Sequence, residues 1–262
     1  MVDNLEQEFV GIKEKKYTVR DFCEVLEKLC IRKDDVLCVH SQIFSFGKPL
    51  VNKPQFLEII VKALQEKIGK NGILIMPAFS YSFCKKEVFD VGNSPSAVGL
   101  LTEYFRNSDD VVRTEHPIFS FSIWGNRKME YLDIGPDAFS LDSVFGKMLR
   151  DNGKIMMLGA NKGYTFYHLA EEHVNVGHRY FKNFQGQIVQ VDGNKRNIQI
   201  PYFVRDLSFK SDLDEEKLSA FLSENGLQKQ VLFGKGTVGV FECRKVYKAL
   251  TDVLRVDEQR FL

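Results

Sequence analysis

The stretch Ile155–Glu172, which reads IMMLGANKGYTFYHLAEE, carries the best candidate for a general base in this sequence. Its pattern predicts an apolar strand, a turn at Gly159 and a short helix that places His168 near its first turn. An imidazole changes charge near neutral pH, so His168 is suited to accept a proton. Glu171 follows three residues later on the same helix face, where it can hold the imidazole. The alternative reading is a histidine that merely packs against the helix or caps it.

Other catalytic motifs find less support. His168, His173 and His178 recur at intervals of five, which does not stack metal ligands on one helix face, so we expect no metal site. The sequence has no GxSxG elbow, SxxK motif or Walker loop. Cys84 is a candidate nucleophile, although a small apolar filler is the commoner role for such a residue. GKGTVG at Gly234–Gly239 matches a dinucleotide pattern, but too few residues follow for that fold, and we predict a tight turn.

Three hydroxyl-rich turns are each predicted to lie at a strand end or a helix start. They are His40–Gly47, Pro77–Ser80 and Ser94–Ser96. Free backbone N–H groups and hydroxyls at such turns can hold phosphates or an oxyanion without any net charge. Each turn alone is most often a simple cap. Together with His168 they form a constellation that favours an anionic ligand.

The composition is that of an ordinary globular protein. The chain has 262 residues, of which 44% are hydrophobic and 27% charged, enough for one large domain. Its 36 basic and 35 acidic residues give a net charge of +1, so we expect no general affinity for nucleic acid or membranes. The five cysteines form no CxxC pair, and the sequence contains neither an apolar signal core nor a membrane-length apolar run. We therefore expect a cytoplasmic protein.

The order of predicted elements favours an α/β fold with a parallel sheet core. Apolar periodicity predicts helices at Tyr17–Cys30, where Thr18 and Asp21 resemble a capping pair, and at Pro54–Ile68. It also predicts short buried strands at Val36–Val39 and Ile73–Met76. Further predictions are a helix capped by Ser94 with Pro95 in its first turn, a half-buried strand at Phe119–Trp124, a helix near Ser143–Arg150, a hairpin turning at Asp192-Gly193, and helices at Asp214–Asn225 and Arg244–Leu254. We expect one domain, residues 1–262, with a more antiparallel part from residue 179 onward.

Four motifs, in this order, resemble the aminoglycoside 3-N-acetyltransferase family, also called the antibiotic N-acetyltransferase family. They are VHSQIFSFGK (Val39–Lys48), LIMPAFSYSF with FDVGNSPSAVG (Leu74–Gly99), RTEHPIFSFSIWG (Arg113–Gly125) and MLGANKGYTFYHLAEE (Met157–Glu172). The resemblance covers roughly residues 17–260. It implies a mixed, largely parallel central sheet flanked by helices, with an antiparallel hairpin in the C-terminal part, unrelated to the GNAT fold.

The resemblance also implies acyl transfer from coenzyme A to an amino group, with acyl-CoA as co-substrate and no tightly bound cofactor. His168 would take the proton from the attacking amine, held by Glu171 or Asp206, and Ser80 would stabilise the oxyanion. Residues 1–178 would form the coenzyme A-binding core, and residues 179–262 would complete the acceptor site. Its coenzyme A residues would be His40, Ser41, Phe44, Ser45, Phe46, Gly47, Ser94 and Ser96. Its acceptor residues would be Tyr81, Glu87, Asp90, His116 and Arg205.

One departure from the family bears on the acceptor. Antibiotic-modifying members place several acids after the hairpin, whereas Phe203–Asp206 keeps only the last acid and adds Arg205. An anionic acceptor is therefore the better match, and we expect a nucleotide-linked (dTDP-type) amino sugar, as used for surface polysaccharides. The alternatives are an aminoglycoside resistance acetyltransferase, and a non-catalytic member that binds coenzyme A or a partner. The sequence leaves open the acyl chain and a homo-oligomeric state.

Overall fold

The computed structural model describes residues 4–262; Met1–Asp3, part of the N-terminal stretch without a signal core, lie outside the described residues. Its strands are β1 Glu8–Ile12, β2 Lys15–Thr18, β3 Val36–Ser41, β4 Lys48–Pro49, β5 Ile73–Pro77, β6 Phe89–Asp90, β7 Val112–Arg113, β8 Phe121–Trp124, β9 Lys154–Leu158, β10 Arg179–Val189, β11 Lys195–Arg205, β12 Gln228–Phe233 and β13 Gly236–Glu242. Its helices are α1 Val19–Lys28, α2 Lys53–Ile68, α3 Leu100–Arg106, α4 Val144–Arg150, α5 Tyr167–Val174, α6 Glu215–Glu224 and α7 Cys243–Leu254.

A mixed central sheet organises the chain. Its strand order is β12-β13-β9-β3-β5-β8-β7, in which β9, β3 and β5 are parallel and the flanking strands pair antiparallel. The predicted α/β fold with a parallel core is thus confirmed. A second sheet, β11-β10-β6, contains the predicted hairpin, and a third, β2-β1-β4, lies near the N-terminus.

Two hydrophobic cores cover the two faces of the central sheet. Side chains of β3 alternate between them: Leu37 and Val39 pack with α1 and α2, whereas Cys38 faces the core that contains residues of α4, α5 and α7. Because both faces are covered, the parallel strands are buried throughout and read as continuous apolar runs. The same burial extends to β8, in which all four residues are buried, so the expected half-buried strand was wrong on this point.

The parallel strands place the connecting loops at one edge of the sheet. After β3 the chain crosses through α2 to β5 on one side, and it returns much later to add β9 on the other side of β3. A topological switch point therefore lies between the carboxyl ends of β3 and β9, which is where open α/β sheets form their ligand crevice. His40 and Ser41 end β3, and Gly159 follows β9.

Most of the predicted helices are confirmed, and α1 begins with the expected capping box between Thr18 and Asp21. The helix predicted to start at Ser94 was wrong, because α3 begins at Leu100 after Gly99. The Ser94 hydroxyl instead accepts a hydrogen bond from the Asp90 backbone N–H at 2.9 Å, which closes a turn and keeps Pro95 out of the helix. His40 and Ser41 lie within β3 and not in the following loop.

Candidate active site

The structure brings His168 and Glu171 together as expected. Both lie on α5, the short helix that follows β9 and the turn at Gly163. The Nδ1 atom of His168 lies 2.5 Å from Oε2 of Glu171. Because an ionised carboxylate only accepts hydrogen bonds, Nδ1 carries the proton and Nε2 holds the lone pair. An imidazole in this tautomer is prepared to accept a proton at Nε2.

Glu171 is completely buried and serves three partners at once. Besides His168, its Oε1 accepts a hydrogen bond from Nε2 of His178 at 2.8 Å. Nε of Arg179 lies 2.7 Å from Oε2 in ion-pair contact, although its N–H is not aligned for a hydrogen bond. Burial opposes ionisation of Glu171, but His168, His178 and Arg179 outweigh it and hold the pKa of this carboxyl well below its ordinary value.

The surroundings of His168 favour the unprotonated ring. Burial lowers the pKa of His168, Glu171 opposes this effect, and the positive charge of Arg179 reinforces it. The ring packs edge-on against Phe139, with centroids 5.2 Å apart, and one fifth of the side chain remains exposed. His168 is therefore a restrained, largely desolvated base that still reaches the solvent-accessible cavity beside it.

That cavity has a volume of about 250 Å³ and joins the turn before α5 to the β10–β11 hairpin and the start of α6. Two of its charges form an ion pair, since Arg205 contacts Asp212. Glu215 accepts a hydrogen bond from the Gly163 backbone N–H. The lining residues are Gly163, Tyr164, Thr165, His168, Arg179, Tyr202, Arg205, Asp212, Leu213 and Glu215.

His40 and Ser41 at the end of β3, and the turn Phe44–Gly47 that follows, were expected to bind coenzyme A and lie at the switch point. His40 is buried, and burial lowers its pKa to about 4. It sits next to the turn before α5, since a Cβ added to Gly163 would lie 3.7 Å from its Nδ1. Ser45 donates a hydrogen bond to the carbonyl of Gly159 at 2.9 Å, which joins the two loops of the crevice.

The turn after β3 also contacts the turn that was predicted as a GKGTVG motif. The backbone N–H of Lys235 donates to the carbonyl of Phe46 at 2.9 Å, and a side chain at Gly234 would collide with that carbonyl. The tight turn predicted there is confirmed, since Gly234 and Lys235 join β12 to β13. Phe44 stays exposed on the same turn, whereas Phe46 is buried.

The expected oxyanion donor, Ser80, is buried after β5, and its hydroxyl is already engaged. It donates to the carbonyl of Pro117 at 3.1 Å and accepts a hydrogen bond from the Ser82 hydroxyl at 3.0 Å. The hydroxyls of Ser94 and Ser96 are likewise engaged, Ser94 in the turn at Asp90 and Ser96 with Thr102 at 3.0 Å. Their role toward coenzyme A stays a prediction.

The residues expected to contact the acceptor are scattered. Asp90 accepts hydrogen bonds from the backbone N–H groups of Gly92 and Asn93, which holds its own turn, and Glu87 is exposed. Burial raises the pKa of Tyr81 to about 12, with Tyr202 of the cavity as a further contributor. These assignments also stay predictions.

His116 is buried in the turn between β7 and β8. Its Nδ1 accepts from the backbone N–H groups of Ile118 at 3.2 Å and Phe119 at 2.9 Å, and burial lowers its pKa to about 4. Its contacts are those of a turn-stabilising residue. The ring of Phe119 packs on Tyr202, which connects this turn to the cavity.

Of the two candidate partners of His168, only Glu171 contacts it. The carboxylate of Asp206 instead accepts from the Ser208 backbone N–H at 2.8 Å, and the Asp206 N–H donates to the His178 carbonyl at 3.0 Å. Sequence reasoning missed Arg179 and the acids of the cavity, Asp212 and Glu215. They reach the site through the hairpin and the start of α6, and no local spacing marks them.

No group of three or more His, Cys, Asp or Glu side chains within residues 4–262 is arranged to hold a metal ion. Over the same residues, no helix is both long and apolar enough to cross a membrane.

Two known proteins are similar to this chain in sequence. The SPbeta prophage-derived aminoglycoside N(3')-acetyltransferase-like protein YokD of Bacillus subtilis (strain 168) is 26% identical, over 94% of this chain and 92% of its own length. Aminoglycoside N(3)-acetyltransferase IV of Salmonella sp is 30% identical, over 64% of this chain and 65% of its own length.

Solved structures share the fold. AAC-IIIb in its binary complex with CoASH superposes with a TM-score of 0.78 at 20% identity, covering 94% of this chain and 97% of that chain. The apoenzyme of AAC(3)-IVa superposes with a TM-score of 0.76 at 23% identity, covering 99% of this chain and 93% of that chain. The family model described as aminoglycoside 3-N-acetyltransferase matches residues 38–255, which include the parallel strands, the His168–Glu171 pair and the hairpin. The chain therefore belongs to the aminoglycoside 3-N-acetyltransferase family, a family of coenzyme A-dependent N-acyltransferases.

Proposed function

We propose that this protein transfers an acetyl group from acetyl-CoA to an amino group of an aminoglycoside, with His168 as the general base. The observation that carries the proposal is the geometry of His168. Its Nδ1 is fixed by Glu171 at 2.5 Å, and its side chain lines a cavity into which an acceptor amine can reach. Family membership indicates the acyl donor, an acyl-CoA, and the type of reaction.

In the proposed reaction, the nitrogen of a neutral amine attacks the thioester carbonyl carbon. A C–N bond forms, the carbonyl oxygen becomes an oxyanion, and Nε2 of His168 accepts the proton released by the amine. Collapse of the intermediate breaks the C–S bond, and the proton passes from His168 to the departing thiolate. A base with a lowered pKa suits this sequence, because it is unprotonated at neutral pH and returns the proton readily.

The charges around His168 support a cationic acceptor. The positive charge of Arg179 is offset by Glu171, and that of Arg205 by Asp212, so Glu215 is the acid left without a cationic side chain in contact with it among the cavity residues. An ammonium group is attracted by such a residual negative charge.

This balance weakens the case for a nucleotide-linked amino sugar. Arg205, which suggested an anionic acceptor, is engaged by Asp212. The two curated relatives reported above carry aminoglycoside names, which favours the aminoglycoside for this chain as well.

We place coenzyme A in the crevice between the carboxyl ends of β3 and β9, where His40, Ser41 and the turn Phe44–Gly47 lie. We assign the acceptor to the part of the chain from residue 179 onward, because Arg179, Tyr202 and Glu215 line the cavity of His168. A cytoplasmic location is part of the proposal. The five cysteines are free thiols, as expected in a reducing compartment.

A thiol-release assay with acetyl-CoA tests the acceptor. Parallel reactions contain a kanamycin-type aminoglycoside, a dTDP-linked amino-dideoxy sugar, or no acceptor. We expect acceptor-dependent release with the aminoglycoside. Release with the nucleotide sugar alone would overturn the acceptor assignment, and no release with either would favour a non-catalytic member of the family.

Substitution tests the base. We expect His168→Ala to lower turnover by about 10²-fold or more while coenzyme A binding, measured by calorimetry, is retained. His173→Ala is the matched control, because His173 lies on the same helix but is exposed to solvent. Equal activity of the two variants would contradict the role of His168.

A further inference from the structure

Arg179 is a buried cation that the reaction as described above does not use. Only 7% of this residue is exposed, and its NH1 donates to the carbonyl of Phe203 at 3.1 Å. Its Nε lies 2.7 Å from Oε2 of Glu171, the same oxygen that holds Nδ1 of His168. Because this N–H is poorly aligned, the guanidinium acts on Glu171 through its charge more than through a directed hydrogen bond.

This arrangement disfavours protonation of His168. Without Arg179, protonated His168 and ionised Glu171 would form a neutral buried pair. With Arg179 present, protonation of His168 leaves a buried cluster of two cations and one anion. Charges in a desolvated site interact more strongly than in water, so the cluster resists the extra proton.

We propose that Arg179 is a positioning residue that keeps His168 unprotonated between turnovers, because its positive charge offsets the negative charge of Glu171. The proposal rests on the function proposed above, in which His168 is the base. Its consequence is that the free enzyme stays ready to accept a proton from an amine at a lower pH than it would without Arg179. Burial of His168 acts in the same direction, whereas Glu171 acts against it.

The other titratable groups around His168 do not substitute for Arg179. On the hairpin, Tyr202 lines the cavity, and Arg205 is offset by Asp212 from the following loop. Glu215 of α6 raises the pKa of His168, and it is the weakest of the contributing causes. His178 reaches Glu171 through the other oxygen, Oε1, by a hydrogen bond at 2.8 Å.

Arg179 contacts Oε2 of Glu171 and His178 contacts Oε1, so variants of the two residues can be compared directly. Arg179→Gln removes the charge, Arg179→Lys keeps a charge at the same position, and His178→Gln keeps a hydrogen-bond donor near Oε1. For each folded variant, NMR follows the ring protons of His168 across pH without substrate, assigned by their loss in His168→Gln. The pH profile of kcat/KM is recorded in parallel.

We expect Arg179→Gln to move the His168 midpoint, and the acidic limb of kcat/KM, upward by roughly one pH unit. His178→Gln and Arg179→Lys should leave the midpoint within about 0.3 pH unit of the wild-type value. This difference is smaller than the smallest shift expected from a neighbouring charge. A lower kcat in Arg179→Gln with an unmoved midpoint would overturn the proposal, since a merely structural role predicts that result.

The wild-type protein provides a test that needs no Arg179 variant to fold. A wild-type His168 midpoint above the ordinary value of about 6.5 would overturn the proposal directly. The NMR titration contains no acceptor and no acyl donor. The titration can therefore be interpreted even if aminoglycosides are not turned over. The thiol-release result likewise remains valid if the Arg179 proposal fails.

Discussion

The hydroxyl of Ser45 donates to the carbonyl oxygen of Gly159 at 2.9 Å and thereby joins the turn after β3 to the turn after β9. These residues are 114 positions apart in the chain, yet the contact closes the base of the crevice in which we place coenzyme A. The close approach depends on Gly159, which has a φ of +70°. A Cβ there would lie 2.8 Å from the carbonyl oxygen of Gln42.

Gly159→Ala should therefore destabilise the protein and weaken coenzyme A binding. The added methyl group meets backbone and is forced into a left-handed conformation, so we expect a loss of about 2–4 kcal/mol in the free energy of unfolding. Urea denaturation measures it. Gly193→Ala is the control, because it has a φ of +84° and nothing within 4 Å of the added Cβ. A loss there of about 1 kcal/mol isolates the conformational part; equal losses in both variants would contradict the packing argument.

Glu171→Gln should reduce kcat strongly with little change in the KM for acetyl-CoA. The amide cannot restrain the Nδ1–H tautomer of His168 as a carboxylate does, and it leaves Arg179 buried without its counter-ion. We expect kcat to fall by about 10²–10⁴-fold in steady-state kinetics. Asp206→Asn is the control, since Asp206 does not contact His168. A larger loss in Asp206→Asn than in Glu171→Gln would show that the partner is misassigned.

Arg113 should be more important for stability than its position outside the cavity indicates. Its guanidinium donates to the carbonyls of Ala78 at 2.7 Å, Ser94 at 2.5 Å and Val91 at 3.2 Å, which fixes the long loop between β5 and α3. Arg113→Met leaves the carbonyls of Val91 and Ser94 without this donor and leaves that of Ala78 to the Ser120 hydroxyl, so we expect a loss of about 3–5 kcal/mol in urea denaturation.

The control for that substitution is Arg196→Met, whose ion pair with Glu115 lies on the surface. Surface pairs contribute about 1 kcal/mol or less. The interpretation of Arg113 as the residue that holds the loop fails if both variants lose the same stability.

The protein should lose stability as the pH falls from 6.5 to about 4. Burial lowers the pKa of both His40 and His116 to about 4 in the folded state, below the unfolded value of about 6.5. Between these values the unfolded chain binds more protons, so stability is fully present above pH 6.5 and declines as the pH falls toward 4. Each histidine contributes a slope of up to about 1.4 kcal/mol per pH unit.

Urea denaturation across this pH range measures the slope, and His116→Asn should reduce it by the contribution of one histidine, up to about 1.4 kcal/mol per pH unit. The amide oxygen of Asn can still accept from the Ile118 and Phe119 N–H groups that bind Nδ1 of His116. An unchanged slope in His116→Asn would refute the assignment of this pH dependence.

The sequence predicted those features that local spacing determines. The capping box of Thr18 and Asp21, and the i, i+3 pair of His168 and Glu171, need only a helix to come together. Apolar runs likewise revealed the parallel strands. Arg179 could not be recognised as a partner of Glu171, because β10 and the turn before it set that contact.

Long-range contacts explain the remaining differences. Ser94 and Pro95 have the local signature of a helix start, but the Ser94 carbonyl accepts from Arg113, and its hydroxyl from the Asp90 N–H. These bonds compete with the helix and delay its start to Leu100. The sheet β2-β1-β4 was missed because the hairpin of β1 and β2 is short and β4 joins β1 only across the intervening α1 and β3.

The position of β13 has a consequence for how the protein folds. This strand pairs antiparallel with β9, and the turn that precedes it rests on the carbonyl of Phe46, so both walls of the crevice meet residues that are synthesised well after β3 and β9. Forming such distant pairings is slow, because chain entropy is lost before the contacts form. The nascent chain can therefore complete the crevice between β3 and β9 only after β13 has been synthesised.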